Sequence, residues 1–215
     1  VVKTGERTTK DTKVHEGTNC RPIARQEEDI MKKVALLTAL LFAVSTLAAA
    51  QMNMSQDKSK RPSPPASAEC KFSDGKSIKM DYSSPRAKGR KIFGAASDKA
   101  LVPFGEIWRT GANEATTFVA TANVTVGGKD VPAGRYTIFT IPKADAWTLI
   151  ISKKTGEWGT EYPGEKEDLA RVSMSVAKTS GPVENFTIAL DQVGNKCTLR
   201  MEWENTRASV EIAEK

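Results

Sequence analysis

Two stretches of this 215-residue chain gather the side chains best suited to binding chemistry. The first runs Pro85-Arg86-Ala87-Lys88-Gly89-Arg90-Lys91-Ile92-Phe93-Gly94 and resumes at Trp108-Arg109-Thr110-Gly111-Ala112-Asn113-Glu114. The second holds Glu157-Trp158-Gly159-Thr160-Glu161-Tyr162. Arg presents a planar fork of donors that matches a carboxylate, phosphate or sulfate, and Trp or Tyr offers a flat face to a sugar or ring. Arg86, Arg90, Arg109, Asn113, Glu114 and Trp158 are therefore the candidate ligand-binding residues, for a small anionic or carbohydrate-like ligand. Each also has a plainer reading. Arg109 with Glu114 reads equally well as an internal ion pair that orders an irregular loop. Arg86, Lys88, Arg90 and Lys91 read as a solvated basic edge, and Asn113 as a turn cap. Trp108 and Trp203 read as core aromatics, and Trp158 and Tyr162 as the exposed ones. Glu161, Glu165, Glu167 and Asp168 lack EF-hand spacing, so no metal site is assigned.

Histidine bounds the catalytic options. The only one is His15, upstream of the export segment described below. Without it there is no Ser-His-Asp or Cys-His machinery, no His-ligated zinc or copper, and no imidazole base. An enzyme here would rest on carboxylates, Lys, Tyr or a Ser-Lys pair. Three readings follow. The first is a non-catalytic binding or structural module that needs no cofactor. The second is a His-independent hydrolase or lyase, with Glu114 or Glu106 as acid/base and Arg109 as charge stabiliser. The third is an assembly module that pairs through an open sheet edge.

The elements that must position these residues are strands. Apolar residues alternate with polar ones at Ile78-Met80-Tyr82, Val172-Met174-Val176, Phe186-Ile188-Leu190, Cys197-Leu199-Met201-Trp203 and Val210-Ile212. Tyr136 to Ile141 and Trp147 to Ile151 are apolar on both faces, as central strands are. Gly127-Gly128 is a two-residue hairpin signal, and Pro132-Ala133-Gly134 and Gly194-Asn195 mark further turns. The expected fold is all-β: an antiparallel β-sandwich of about nine or ten strands, jelly-roll or Greek-key-like. At most one short helix is expected, a turn around Phe104 to Trp108. Ser83 to Asn113 and Gly156 to Asp168 interrupt the alternation, and loops on a rigid sandwich are where binding residues collect.

Those same residues carry a resemblance. Pro85-Arg86 through Phe93-Gly94, the run Trp108 to Glu114, Pro132-Ala133-Gly134 with Tyr136 and Phe139-Thr140-Ile141-Pro142, and Trp158-Gly159 resemble the exported bacterial family called domain of unknown function 2911. The likeness extends over nearly all of the chain from about Phe72. It implies an exported all-β domain and brings no activity with it.

Compartment is read from the first fifty residues. Met31-Lys32-Lys33, the uncharged apolar run Val34 to Leu47 and Ala48-Ala49-Ala50 form the three parts of a secretory signal peptide over 31–50. Residues 1–30 then read as upstream sequence translated from a start placed too early. Residues 51–69 read as a Ser/Pro/Lys-rich flexible tether and 70–215 as one domain. The expectation is export to the periplasm or beyond, with no membrane span in the mature chain. The formal charge of +6 includes eight Lys/Arg and six Asp/Glu before Gln51, which leaves 24 against 20 afterwards. A surplus of four spread along the chain is a solvated surface, not a nucleic-acid footprint. With Cys20 upstream, Cys70 and Cys197 remain. An oxidising compartment suggests one disulfide between them, with two separate buried thiols as the alternative.

Overall fold

The structure, a computed structural model, describes Met31 and residues 57–215. The expected extension over 1–30 and the export segment over 31–50, Met31 apart, lie outside the described residues. The fold is all-β. Nine strands form one antiparallel sheet in the order β1-β2-β5-β8-β9-β10-β11-β6-β7, and the sheet does not close. In chain order they are β1 (Pro65–Lys71), β2 (Ser77–Ser83), β5 (Thr116–Ala120), β6 (Val124–Val126), β7 (Lys129–Val131), β8 (Gly134–Ile141), β9 (Ala146–Ser152), β10 (Asp168–Val193) and β11 (Lys196–Glu214). Two further strands, β3 (Phe93–Gly94) and β4 (Val102–Pro103), pair with each other in parallel. That pair departs from the all-antiparallel expectation, and two residues per strand are too short to show a period.

Alternation translates directly into burial. Side chains of a strand point to opposite faces, so every second residue enters the core. Ile78, Met80 and Tyr82 of β2 are buried, as are Cys197, Leu199, Met201 and Trp203 of β11. β8 and β9 are covered on both faces. Ile138 and Leu149 join the main core, while Phe139 and Ile150 form a second small core with Ala115. Ile107, Ile141 and Tyr162 pack over that second core.

β10 and β11 are single bent strands where the pattern suggested two pairs. The first part of β10 pairs with β9, and its later part pairs with β11. The bend falls where the β10–β11 register shifts between Lys178 and Val183 and again before Thr187. Gly181-Pro182 lies in this interval, and Pro has no N–H for a ladder. Opposite it, Glu204 takes φ 52°, in the left-handed region. Turning this corner brings β10 over the other end of the sheet. Arg86 bridges Asn185, Ser84 Oγ donates to the Phe186 carbonyl at 2.7 Å, and Cys70 of β1 is bonded to Cys197 of β11.

The short structured turns sit elsewhere than expected. Among the described residues the 3-10 turns are Lys58–Lys60, Ala96–Asp98 and Glu165–Glu167. Phe104 and Gly105 form only a tight turn, closed by the Glu106 N–H to the Pro103 carbonyl. Strand structure is present within the stretch 51–69 that reads as tether. β1 begins at Pro65, and its register with β2 runs from Pro65↔Ser83 to Lys71↔Ser77. Pro and Ser, which read as tether, are tolerated here because β1 is an edge strand with one ladder to satisfy. Among the described residues no helix is long and apolar enough to cross a membrane.

Candidate functional site

The segment from Trp108 to Thr116 is irregular yet pinned from both sides. Trp108 forms an isolated bridge with Thr140 of β8 through two backbone hydrogen bonds of 2.8 and 2.9 Å. Its indole enters the main core, stacked on Trp203 at 5.8 Å and edge-on to Phe93, Trp147 and Phe186. The indole Nε1–H donates to the Gly111 carbonyl at 3.1 Å, which folds the loop back on itself. Thr110 takes φ 56° although it is β-branched, a costly conformation held by its surroundings. Its Oγ1 reaches Thr140 Oγ1 at 3.1 Å, and Thr116 Oγ1 donates to its carbonyl at 2.6 Å. Gly111 follows at φ 155°, where a Cβ would lie 2.9 Å from the Ser83 carbonyl oxygen.

With Trp108 turned inward, its neighbour Arg109 lines a cleft of about 780 Å³. Trp108, Trp203, Val102, Pro103 and Ile107 supply the apolar walls, and Arg90, Glu106 and Thr160 supply polar groups. Arg109 Nε is buried with no hydrogen-bond partner among the described residues. Burial alone lowers its guanidinium below its ordinary pKa, with no neighbouring carboxylate acting on it. Arg90 also reaches this cleft, but its Nε donates to the Ala87 carbonyl at 3.0 Å and one Nη to the Arg86 carbonyl at 2.6 Å. Arg86 itself is exposed and is not among the residues lining this cleft.

Asn113, Glu114 and Trp158 gather in a different place. Glu114 bridges Trp158 in the backbone, and the Gly159 N–H donates to the Asn113 carbonyl at 3.1 Å. Asn113 takes φ 57° and its Nδ2 donates to the Ser63 carbonyl at 3.1 Å. Glu114 is paired with Arg61 and Lys58, each at 3.0 Å, and Arg61 also lies over the Trp158 ring, 5.9 Å from its centroid. Burial pushes the Glu114 carboxyl up, but its own backbone N–H, Lys58 and Arg61 outweigh that and bring it to about 2. Lys58, Arg61 and Glu114 line a groove of about 460 Å³ together with Ser67, Asp81 and Thr117.

The six candidate residues thus divide. Arg90 and Arg109 share a cleft, Asn113, Glu114 and Trp158 cluster beside a separate groove, and Arg86 joins neither. The ion pair of Glu114 is made with the segment ahead of β1 rather than with Arg109. Trp158 is exposed, whereas Tyr162 is half-buried, edge-on to Phe139 with its hydroxyl donating to Asp168 at 2.9 Å. Arg61 and Lys58 escaped sequence reasoning because they lie in a Ser/Pro/Lys-rich stretch 53 and 56 positions before Glu114. Glu157 was visible only as a loop acid. It is buried, with one carboxylate oxygen accepting from Thr137 Oγ1 at 2.8 Å and the other without a partner. The one signal for it was its position beside Trp158-Gly159.

The comparisons agree with this geometry only at the level of family. The model of a family described as a protein of unknown function, DUF2911, matches residues 63–212. No curated protein and no solved structure matches the chain. The matched span holds every strand from β1 to β10 and most of β11, together with the Arg109 cleft and the Asn113–Glu114–Trp158 cluster, so the chain belongs to the DUF2911 family.

Proposed function

We propose that this protein is an exported, non-catalytic binding module that holds a small anionic ligand in the Arg109 cleft. One observation carries the reading: a half-buried guanidinium with an orphan Nε, no carboxylate partner among the described residues, and open space in front of it. A charge desolvated without a counter-ion is costly unless a ligand completes it. The Arg fork suits a carboxylate, sulfate or phosphate, and the apolar walls suit the body of an organic acid or an anionic sugar. Export is supported by the signal-like segment over 31–50 and by the Cys70–Cys197 disulfide, which belongs in an oxidising compartment.

The hydrolase reading finds less support. A general acid needs a pKa near the working pH, and Glu114 is held ionised by two cations. It also lines the groove rather than the Arg109 cleft, and Glu106, the other candidate acid, is the one carboxylate among the residues lining that cleft, so no pair of acids faces Arg109 there. Calorimetry against a panel of organic acids, uronic and sulfated sugars and phosphomonoesters tests the proposal. Saturable binding of one class, lost in Arg109→Gln, is the expected result. Binding that survives Arg109→Gln unchanged, or no binding by any class, overturns it.

A further inference from the structure

The Glu114–Trp158 cluster has the form of a receptor that is already occupied. Its two walls are fixed by the domain. Glu114 and Trp158 are joined by a backbone bridge, and flanking hydrogen bonds run from the Ala115 N–H to the Glu157 carbonyl and from the Gly159 N–H to the Asn113 carbonyl. None of these bonds involves residues 57–64. What sits between the walls is a side chain from that segment. One Nη of Arg61 meets both oxygens of Glu114 at 3.0 Å, and the same guanidinium lies 5.9 Å from the Trp158 centroid. A carboxylate on one side and an indole face on the other is a complementary pair for a guanidinium, combining a charge-assisted hydrogen bond with a cation–π contact.

The occupying segment has little fold of its own. Residues Lys58–Lys60 make one 3-10 turn with no buried residue, capped by Asp57. Its hold on the domain runs through the Arg61 and Lys58 side chains and the carbonyls of Ser63 and Pro64, which accept from Asn113 Nδ2 and the Ser84 N–H. Side-chain anchors plus a few main-chain bonds are how a peptide binds a preformed surface. Arg61 also lies just ahead of the family-matched span, whereas Glu114, Asn113 and Trp158 lie within it.

We infer that Asn113, Glu114 and Trp158 form a recognition site for an arginine-bearing peptide, filled in cis by Arg61 and open to an arginine peptide in trans when that segment lifts. The groove beside it, lined by Ser67, Asp81, Ser83 and Thr117 as well as Ala66 and Tyr82, gives the neighbouring peptide residues a mixed polar and apolar surface. The site is separate from the Arg109 cleft and takes the opposite charge. The tethered segment competes at high effective concentration, so an external peptide reaches the native chain only weakly.

The probe is the synthetic peptide covering 57–64, DKSKRPSP with blocked ends, titrated into the full chain and followed by calorimetry and tryptophan emission. Into the Lys58→Ala/Arg61→Ala double variant it binds saturably, at least tenfold more tightly than into the unaltered chain. The same peptide with Ala for its Arg does not bind. Adding Glu114→Gln to the double variant abolishes binding. Arg61→Gln alone serves as a second vacated chain should the double variant not fold. No saturable binding to a folded vacated chain, or equal binding of the Arg and Ala peptides, overturns the inference. So does a failure of both vacated variants to fold, since the segment is then part of the fold rather than a ligand of it.

Discussion

Arg61 and Glu114 are 53 positions apart in sequence, yet one Nη of the arginine meets both carboxylate oxygens of the glutamate at 3.0 Å. Lys58 adds a second cation to the same carboxylate. This contact closes the segment before β1 onto the loop that follows Trp108, and it makes the folded state sensitive to acid.

Glu114 titrates at about 2 in the folded chain, below its ordinary 4.5. A folded pKa below the unfolded one contributes stability that is present above about 4.5 and is lost as pH falls towards 2. Both partners are partly exposed, so the contribution is modest, about 0.5–1 kcal/mol. Glu114→Gln is expected to lower the melting temperature by roughly 1–4 °C at pH 7. The gap from the unaltered chain should close between pH 4.5 and 2, as melts across that range will show. A gap that persists undiminished at pH 2 would mean that charge is not what Glu114 contributes.

The Cys70–Cys197 disulfide spans 127 positions and ties β1 to β11 across the core. A loop of that length corresponds to about 5 kcal/mol in the chain-entropy model, and measured losses run at roughly 2–5 kcal/mol. Cys197→Ser in the full chain is expected to lower the unfolding free energy, read from denaturant titration, by an amount in that range. Both cysteines are buried, so a reductant should act on the native protein only as fast as it opens. Thiol release that outruns unfolding in dithiothreitol would contradict that burial.

Much of this fold could be read from period alone. Cys197, Leu199, Met201 and Trp203 announce a half-buried strand because a two-residue repeat has only one physical meaning. Gly127-Gly128 announces a hairpin because both residues take positive φ, 52° and 80°, and at Gly127 a Cβ would run into Val172. The site was legible only in part. Arg109 stands out by type, but whether it pairs with Glu114 depends on which residues the loop turns inward. That turn is set by the Trp108 indole and the left-handed Thr110, neither of which leaves a periodic trace. The Arg61–Glu114 contact was illegible for a further reason. Its partner lies in a stretch whose composition reads as tether, and composition carries no information about a docking made by two side chains.

The Trp108 indole links the core to the loop through its one side-chain donor, the Nε1–H bonded to the Gly111 carbonyl at 3.1 Å. Trp108→Phe keeps an aromatic ring against Trp203 and Phe186 but removes that donor. A lost buried hydrogen bond costs about 1–3 kcal/mol. The loop amides that depend on this fold-back are those of Ala112, bonded to the Ser83 carbonyl, and Thr116, bonded to the Arg109 carbonyl. Hydrogen exchange at these two amides is expected to rise by more than the change in global stability accounts for. Exchange that rises equally throughout the domain would place the role of Trp108 in core packing alone.

Arg109 offers the sharpest separation between fold and function. Its Nε is buried without a hydrogen-bond partner among the described residues, and burial lowers the pKa of its guanidinium. Such a group burdens the unliganded fold, since a buried orphan donor costs about 1–3 kcal/mol. Arg109→Met keeps the length and the apolar contact of the stem while removing the donors and the charge. The unliganded variant is therefore expected to melt above the unaltered chain, by roughly 2–4 °C for each kcal/mol recovered. Anion binding should vanish in the same variant. Arg109→Lys retains the charge but not the planar fork, so it should bind weakly and gain little stability. Were Arg109 a structural residue instead, its removal would lower the melting temperature and the lysine variant would restore it. Differential scanning calorimetry of the three chains, with and without ligand, separates these outcomes, because a group kept for binding and a group kept for folding shift the unliganded melt in opposite directions.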